Sequence, residues 1–214
     1  MSIIKNKEQR VAVFVDVQNM YYSARHLYQS KVNFGAILKE AVGDRKLIRA
    51  IAYAVKAQMP EEESFFDALS KSGFDVKTKD LQVFFDGTKK ADWDVGIAMD
   101  IIKMAPALDS IILVSGDGDY IPLVEYLQNH GKSVEAVAFG RSSSQNLTNK
   151  VDDFLDLDQI AKKVLLKYTD QVKKSSPSHI ARPASTSIVK SAPTLAQHKK
   201  PEQSKPAPKK RFFF

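Results

Sequence analysis

Aspartates recur in this sequence where an apolar run ends or a helix is expected to begin. Asp16 follows the apolar residues of VAVFVDV, and Asp117 and Asp119 follow SIILVS within the motif SGDGDY. Asp94 lies in KKADWDVGIAMD, at the start of a helical pattern. Carboxylates gathered in one place repel one another, and a hard divalent cation that prefers oxygen ligands relieves that repulsion. We therefore expect these four aspartates to bind Mg²⁺ or Mn²⁺.

A cation held in this way activates water and stabilises charge on a phosphodiester, which is the chemistry of a metal-dependent nuclease. Asn19, about one helical turn after Asp16, is expected to orient that carboxylate or a bound water. Ser115, directly before the glycine turn, is expected to hydrogen-bond into the site. Taken singly, each aspartate is explained by a turn, a helix cap or a helix dipole; four from three separate segments favour a site.

Asp100 is a second-tier candidate. It lies six residues after Asp94, about 240° around a helix, so the two side chains do not share a face. We expect Asp100 to bond to backbone or to Lys90. The histidines are isolated and the chain has no cysteine, which argues against zinc.

Alternating strand and helix patterns must position these residues. Short apolar runs or β-like segments predict strands at residues 11–17, 47–55, 74–77, 82–85, 110–115 and 133–139. Helical patterns cover residues 19–29, 34–42, 61–72, 92–104 and 119–130, and helical segments follow the last strand to about residue 167. This order predicts an α/β protein, with helices on both faces of a mainly parallel sheet. Ligands of such sheets bind beyond the carboxyl ends of the strands, where Asp16 and Asp117 are expected.

Composition changes near the end of the chain. Residues 171–214 carry ten Lys and Arg against one Glu, whereas the remaining residues carry 22 basic and 24 acidic side chains. The segment is rich in Ser, Pro and Lys and poor in large apolar groups, so we expect a folded domain at 1–170 and a disordered basic tail at 171–214. The basic tail is expected to act either as a flexible RNA-binding arm or as a solubilising, linker-like extension. Its terminal KKRFFF suits instead a docking peptide for a protein partner.

The whole chain reads as that of a soluble cytoplasmic protein. It has no cysteine for disulfides, no apolar stretch of about 20 residues for a membrane span, and no signal-peptide pattern at its start. The sequence leaves the oligomeric state open, with a homodimer as one option.

The three motifs FVDVQN, KKADWDVGIAMDII and IILVSGDGDYIPLVEYLQNHGKSVEAVAF, in that order, resemble the NYN domain family in its LabA-like (DUF88) branch, which is related to PIN-domain ribonucleases. The resemblance covers about residues 11–160. It implies a PIN-like three-layer α/β/α sandwich and a metal-dependent endoribonuclease with RNA, single-stranded or structured, as substrate. The functional positions that it implies are Asp16, Asn19, Asp94, Asp117 and Asp119, with Asp100 as a further motif position.

A ribonuclease also needs groups that hold the RNA backbone. Lys89 and Lys90 precede the acidic helix, and Arg141 opens the loop GRSSSQN at the same expected edge, so these three are candidate phosphate contacts. Trp93 and Tyr120 adjoin candidate aspartates and could stack an unpaired base, although core packing is the commoner role for a Trp in this setting.

Two other classes of protein compete with the nuclease interpretation. A non-catalytic RNA- or protein-binding module could retain the fold, but it would gain nothing from carboxylates that face phosphates. A haloacid-dehalogenase-type phosphatase needs D-x-D after its first strand, where this chain has Gln18. A P-loop, a nucleophile elbow and a dinucleotide fingerprint are all absent from the sequence.

Overall fold

A computed structural model describes residues 5–56, 62–83, 89–90 and 92–166 of the chain. All of them belong to one compact unit, Met1–Ser175, and the second unit, Ser176–Phe214, lies outside the described residues. The expected disorder of residues 171–214 and the role of KKRFFF therefore fall outside the described part as well. Within that part, no helix is long and apolar enough to cross a membrane.

The described residues form ten strands and seven helices. The strands are β1 (Arg10–Asp16), β2 (Lys31–Val32), β3 (Lys46–Lys56), β4 (Asp75–Asp80), β5 (Gln82–Val83), β6 (Lys89–Lys90), β7 (Ser110–Val114), β8 (Ser133–Ala138), β9 (Asp153–Asp156) and β10 (Leu165–Leu166). The helices are α1 (Val17–Tyr28), α2 (Phe34–Val42), α3 (Glu62–Lys71), α4 (Asp94–Met104), α5 (Ile121–Asn129), α6 (Gln145–Lys150) and α7 (Ala161–Val164).

Six strands form one parallel sheet in the order β4-β3-β1-β7-β8-β9. The chain builds outward from β1 to β3 and β4, and then returns to the other side of β1 with β7, β8 and β9. Strand order therefore reverses between β1 and β7, where Val15 pairs with Val114. In open α/β sheets this switch point opens a crevice beyond the carboxyl ends of the strands.

Helices cover both faces of the sheet. The first face packs against α1, α2, α3 and α7 through buried side chains such as Met20 and Ile37. The second packs against α4, α5 and α6 through Ile101, Leu127 and Leu147. Every residue from 11 to 15 in β1 is fully buried, because its alternating side chains point into both layers. The structure thus confirms the predicted three-layer α/β/α sandwich with a parallel central sheet.

The prediction that residues 133–139 form the last strand is wrong. β9 adds a sixth strand at the edge of the sheet, and β10 pairs with β2 in a separate two-stranded ribbon. The sequence of β9, DFLD, lacks an apolar run because all four of its residues are only partly buried at the edge. Two boundaries also move: α1 begins at Val17 rather than Asn19, and a 3-10 turn at Gly118–Tyr120 precedes α5.

Candidate active site

Asp16 lies at the junction of β1 and α1, at the switch point of the sheet. Its Oδ1 accepts a hydrogen bond from the backbone N–H of Asn19 at 3.0 Å, so Asp16 is the N-cap of α1. The cap fixes the direction in which the chain leaves the strand. The capping role that the sequence allowed for Asp16 is therefore confirmed. Its expected role in binding a metal stays a prediction.

Asn19 ties the first helix to the loop after β7. Its Oδ1 accepts a hydrogen bond from the backbone N–H of Gly116 at 3.1 Å. In the same loop, the Oγ of the fully buried Ser115 accepts from the N–H of Asp117 at 3.2 Å. Asp117 in turn caps the 3-10 turn, because its Oδ1 accepts from the N–H of Asp119 at 3.0 Å. These bonds hold the carboxylates that follow β1 and β7 in a fixed relation.

The glycines of SGDGDY are required by a close approach of two loops. A Cβ added at Gly116 would lie 2.5 Å from Ser143 Oγ and 3.0 Å from Ser143 Cα, and one at Gly118 would lie 2.8 Å from Ser144 Oγ. The N–H of Ser144 also donates to the carbonyl of Gly116 at 2.9 Å. The loop after β8 therefore fixes the position of the aspartate loop from the side.

Asp94 reaches the same crevice from the other layer, at the first position of α4. The hydroxyl of Tyr120 donates to its Oδ1 at 3.1 Å, which links α4 to the turn that carries Asp117 and Asp119. The preceding Trp93 anchors this end of the helix, because its Nε1 donates to the carbonyl of Ala54 at 2.9 Å. We call Asp16, Asp94, Asp117 and Asp119 the acidic edge.

Electrostatics show that the acidic edge is one interacting group. The pKa of Asp16 is raised from 3.8 to about 6, chiefly by burial and then by the charges of Asp94 and Asp117, which outweigh hydrogen bonds from backbone N–H groups. Burial also raises the pKa of Asp94; the bond from Tyr120 opposes this rise, and neighbouring carboxylates including Asp117 add to it. Within the described residues, no Lys or Arg forms an ion pair with the acidic edge to relieve this repulsion.

The donor set of the acidic edge suits a hard divalent cation, because it consists of carboxylate oxygens. Among the described residues, however, no three His, Asp or Glu side chains are close enough to form a complete metal cage. Mg²⁺ is often bound through one or two carboxylates, with water and substrate phosphates completing its shell. The acidic edge fits that mode of binding, and it does not fit a closed structural site.

Asp100 has different partners from those expected. Its Oδ2 accepts from the hydroxyl of Tyr53 at 2.8 Å and from the Nζ of Lys77 at 2.6 Å, two partners that the sequence did not indicate. The expected bond to Lys90 falls on a side chain outside the described part of the structure. Burial tends to raise its pKa, but these two bonds and the Lys77 charge outweigh burial and lower it. Asp100 thus fastens α4 to β3 and β4 and keeps the orientation of the helix that carries Asp94.

Of the three expected phosphate contacts, the structure describes the side chain of Arg141 but not those of Lys89 and Lys90. Lys89 and Lys90 form β6, but their side chains lie outside the described part of the structure. Arg141 follows β8 at the carboxyl end of the sheet, where its Nη2 donates to Asp158 at 3.3 Å and its guanidinium lies 4.8 Å from the ring centre of Tyr28. The side chain remains 40% exposed, so Arg141 is a positioned cation with one side open to solvent.

The idea that Tyr120 stacks an unpaired base is wrong, because only 2% of Tyr120 is exposed. Trp93 is partly buried, and its ring packs on Tyr53 with 5.3 Å between the ring centres, in agreement with the packing role.

The sequence analysis missed two contacts of the site: the hydrogen bond from Tyr120 to Asp94 and the packing of Ser143 on Gly116. For the Tyr120–Asp94 bond, the available signal was the position of Tyr120 directly after Asp119. For the packing of Ser143 on Gly116, the sequence offered only the small residues of both loops.

Comparisons with known proteins agree with this architecture. The NYN domain profile matches residues 10–158. The low amplitude and bright protein LabA of Synechococcus elongatus is 27% identical over 165 residues, which are 72% of this chain and 87% of that protein. The crystal structure of a protein of unknown function from Vibrio parahaemolyticus has 36% identity and a TM-score of 0.69, covering 77% of this chain and 100% of that one.

Proposed function

The chain belongs to the NYN domain family, and from that premise we propose that it is an endoribonuclease that hydrolyses RNA phosphodiesters with Mg²⁺ or Mn²⁺ at the acidic edge. Membership implies a PIN-like, nuclease-type fold. The specific reaction, the metal and the RNA substrate belong to the proposal.

One observation carries the proposal: carboxylates from three segments meet at the switch point without a cationic partner among the described side chains. Burial, with a further contribution from the charges of Asp94 and Asp117, raises the pKa of Asp16 to about 6. Folding would not keep these groups together for stability alone, because uncompensated carboxylates in a partly buried site are costly. Such a cost is typical of a functional site.

In the proposed mechanism, one or two of the carboxylates of Asp16, Asp94 and Asp117 would hold the divalent cation, with water and substrate phosphates completing its shell. The bound cation would supply activation of water and stabilisation of charge on the phosphate. Asn19 and Ser115 position the loop that carries Asp117, and Tyr120 orients Asp94 through its 3.1 Å bond. Asp119 is the exposed member of the acidic edge, and in the proposal it would bind a water molecule beside the substrate.

The test uses a labelled circular RNA, which only an endonuclease can cut. Wild-type protein should linearise it with Mn²⁺ or Mg²⁺ and fail to do so in EDTA. Asp94→Asn should lose at least about 100-fold in rate, because its acidic oxygen can no longer serve as a ligand. A matched control is Asp44→Asn, an exposed position in the turn before β3, at the opposite end of the sheet.

The alternative, a non-catalytic RNA- or protein-binding module, makes a different prediction for the same assay. It predicts that wild-type protein cuts the RNA under no metal condition; an RNA-binding module would still retain the RNA, whereas a protein-binding module would not. Equal cutting by wild type and Asp94→Asn would instead indicate a contaminating nuclease or a different site.

A further inference from the structure

We propose that the exposed face of α1 is a stacking surface for the unpaired bases of single-stranded RNA, with Tyr22 as its principal contact. This inference rests on the proposed function, because it names the form of RNA that is presented to the acidic edge. Neither the family match nor the relatives assign a role to this helix face.

The surface consists of two aromatic side chains that the fold leaves in solvent. Tyr22 is 63% exposed and Tyr21 is 36% exposed, and their rings meet edge to face with centres 5.5 Å apart. The opposite side of α1 packs into the core through Met20 and Ala24, both fully buried, so the helix is fixed and the exposed rings are held by a rigid element. By contrast, Tyr28, Tyr53 and Tyr120 are buried. An exposed ring on a rigid support can stack on any base, because every base has an aromatic face.

The charge of this face suits an anionic strand. Arg25 Nη1 donates to the hydroxyl of Tyr21 at 3.3 Å, which places a guanidinium beside the rings, and His26 is also exposed. Helix α1 contains no Asp or Glu, whereas each of the other described helices of nine or more residues, α2 to α5, contains at least one. An aromatic and cationic face without carboxylates favours a nucleic-acid backbone over a cationic ligand.

The position of the face connects it to the acidic edge. Asp16 caps α1, and Asn19 in the first turn contacts Gly116 of the aspartate loop. Tyr22 follows Asn19 by three positions, so the two are neighbours on the helix surface, with Cβ atoms about 5–6 Å apart. A base stacked on Tyr22 therefore adjoins the crevice in which Asp16 and Asp117 lie.

The chemistry of this face favours RNA over a protein partner. Its exposed side chains are aromatic or polar and include no aliphatic group: Tyr21, Tyr22, Arg25 and His26. The outer side of α4 is different, because Val95 is 73% exposed and Met99 is 46% exposed. Exposed aliphatic side chains resemble a protein-docking surface, and α1 lacks them.

The experiment measures binding without cleavage. Fluorescence anisotropy in EDTA gives the Kd of the full chain for a labelled 12-nucleotide single-stranded RNA and for a duplex of the same sequence. Tyr22→Ala should weaken single-strand binding by about 5- to 150-fold, the range expected for loss of one stacked base, and should change duplex binding little. Tyr22→Phe retains the ring and should bind single-stranded RNA like wild type.

The matched control is Tyr126→Ala, which removes a 42% exposed tyrosine from the last turn of α5, far along the chain from α1. It should leave the Kd for both RNAs unchanged.

Several outcomes would overturn the proposal. Wild-type affinity in Tyr22→Ala, or equal losses for single-stranded and duplex RNA, would exclude base stacking. A change of oligomeric state in Tyr22→Ala with unchanged RNA affinity would make the face a protein interface. If Tyr22→Ala loses single-strand binding while wild type cuts no RNA with Mn²⁺, the stacking surface stands and the ribonuclease proposal fails. If wild type cuts RNA and Tyr22→Ala binds normally, only the stacking surface fails.

Discussion

Replacing Asp16 with Asn should stabilise the metal-free protein at neutral pH, although it removes the proposed chemistry. The pKa of Asp16 is about 6 in the folded state against 3.8 ordinarily, because of burial and the charges of Asp94 and Asp117. That difference corresponds to a cost of about 3 kcal/mol when the group is fully ionised. Asn retains an oxygen that can accept from the N–H of Asn19, so the cap of α1 survives the substitution.

The sign of the pH dependence follows from the raised pKa. Between pH 3.8 and about 6 the carboxyl group of Asp16 is protonated to a larger fraction in the folded state than in the unfolded state. The favourable contribution of protonated Asp16 is therefore present at low pH and is lost as pH rises through about 6. The advantage of Asp16→Asn over wild type should be about 1–3 kcal/mol at pH 7.5, allowing for imperfect accommodation of the amide, and should vanish near pH 4.

Urea unfolding in EDTA from pH 4 to 8 measures this difference, and the fluorescence of the single Trp, Trp93, reports unfolding because its ring packs on Tyr53. Mn²⁺ should stabilise wild type more than Asp16→Asn, since a ligand that binds only the folded state adds to its stability. Asp44→Asn is the control and should change stability by less than about 0.5 kcal/mol. If Asp16→Asn is less stable than wild type at pH 7.5 by an amount that does not vary with pH, ionised Asp16 does not destabilise the metal-free fold.

Two further predictions concern residues that support the fold and the site. Gly116→Ala should lower the free energy of unfolding by about 1–3 kcal/mol in urea and slow RNA cutting, because the new Cβ would press on Ser143. Combining it with Ser143→Gly should restore part of both losses. A Gly116→Ala variant with full stability and activity would contradict this prediction. Arg45→Ala should cost about 3–5 kcal/mol, because the guanidinium donates to both oxygens of Glu135, which is 3% exposed. Glu135 would keep Lys5 and Ser110 as partners but lose its buried cation. Adding Glu135→Gln to Arg45→Ala should therefore recover part of that loss, and no recovery would show that the cost does not come from the charge of Glu135.

The sequence was most informative where local pattern and tertiary structure agree. The apolar runs of β1 and β7 indicated two buried strands and placed Asp16 and Asp117 after their carboxyl ends. The runs did not determine strand order, and it is the pairing of β1 with β7 that makes these two ends neighbours. β9 could not be predicted in this way, since an edge strand with half-buried side chains carries no apolar run. The partners of Asp100 lie 23 and 47 residues earlier in the chain, so they depend on how α4 packs against β3 and β4.

Single-turnover cleavage of a circular RNA by wild type and Asp117→Asn tests the central claim most directly. Asp117 belongs to the acidic edge, and Asn at this position can still accept the N–H of Asp119, so the loop should keep its shape. The proposed ribonuclease predicts cutting by wild type that requires Mn²⁺ or Mg²⁺ and stops in EDTA, with a loss of at least about 100-fold in Asp117→Asn. Cutting by Asp117→Asn at the wild-type rate, or no metal-dependent cutting by wild type, would contradict it.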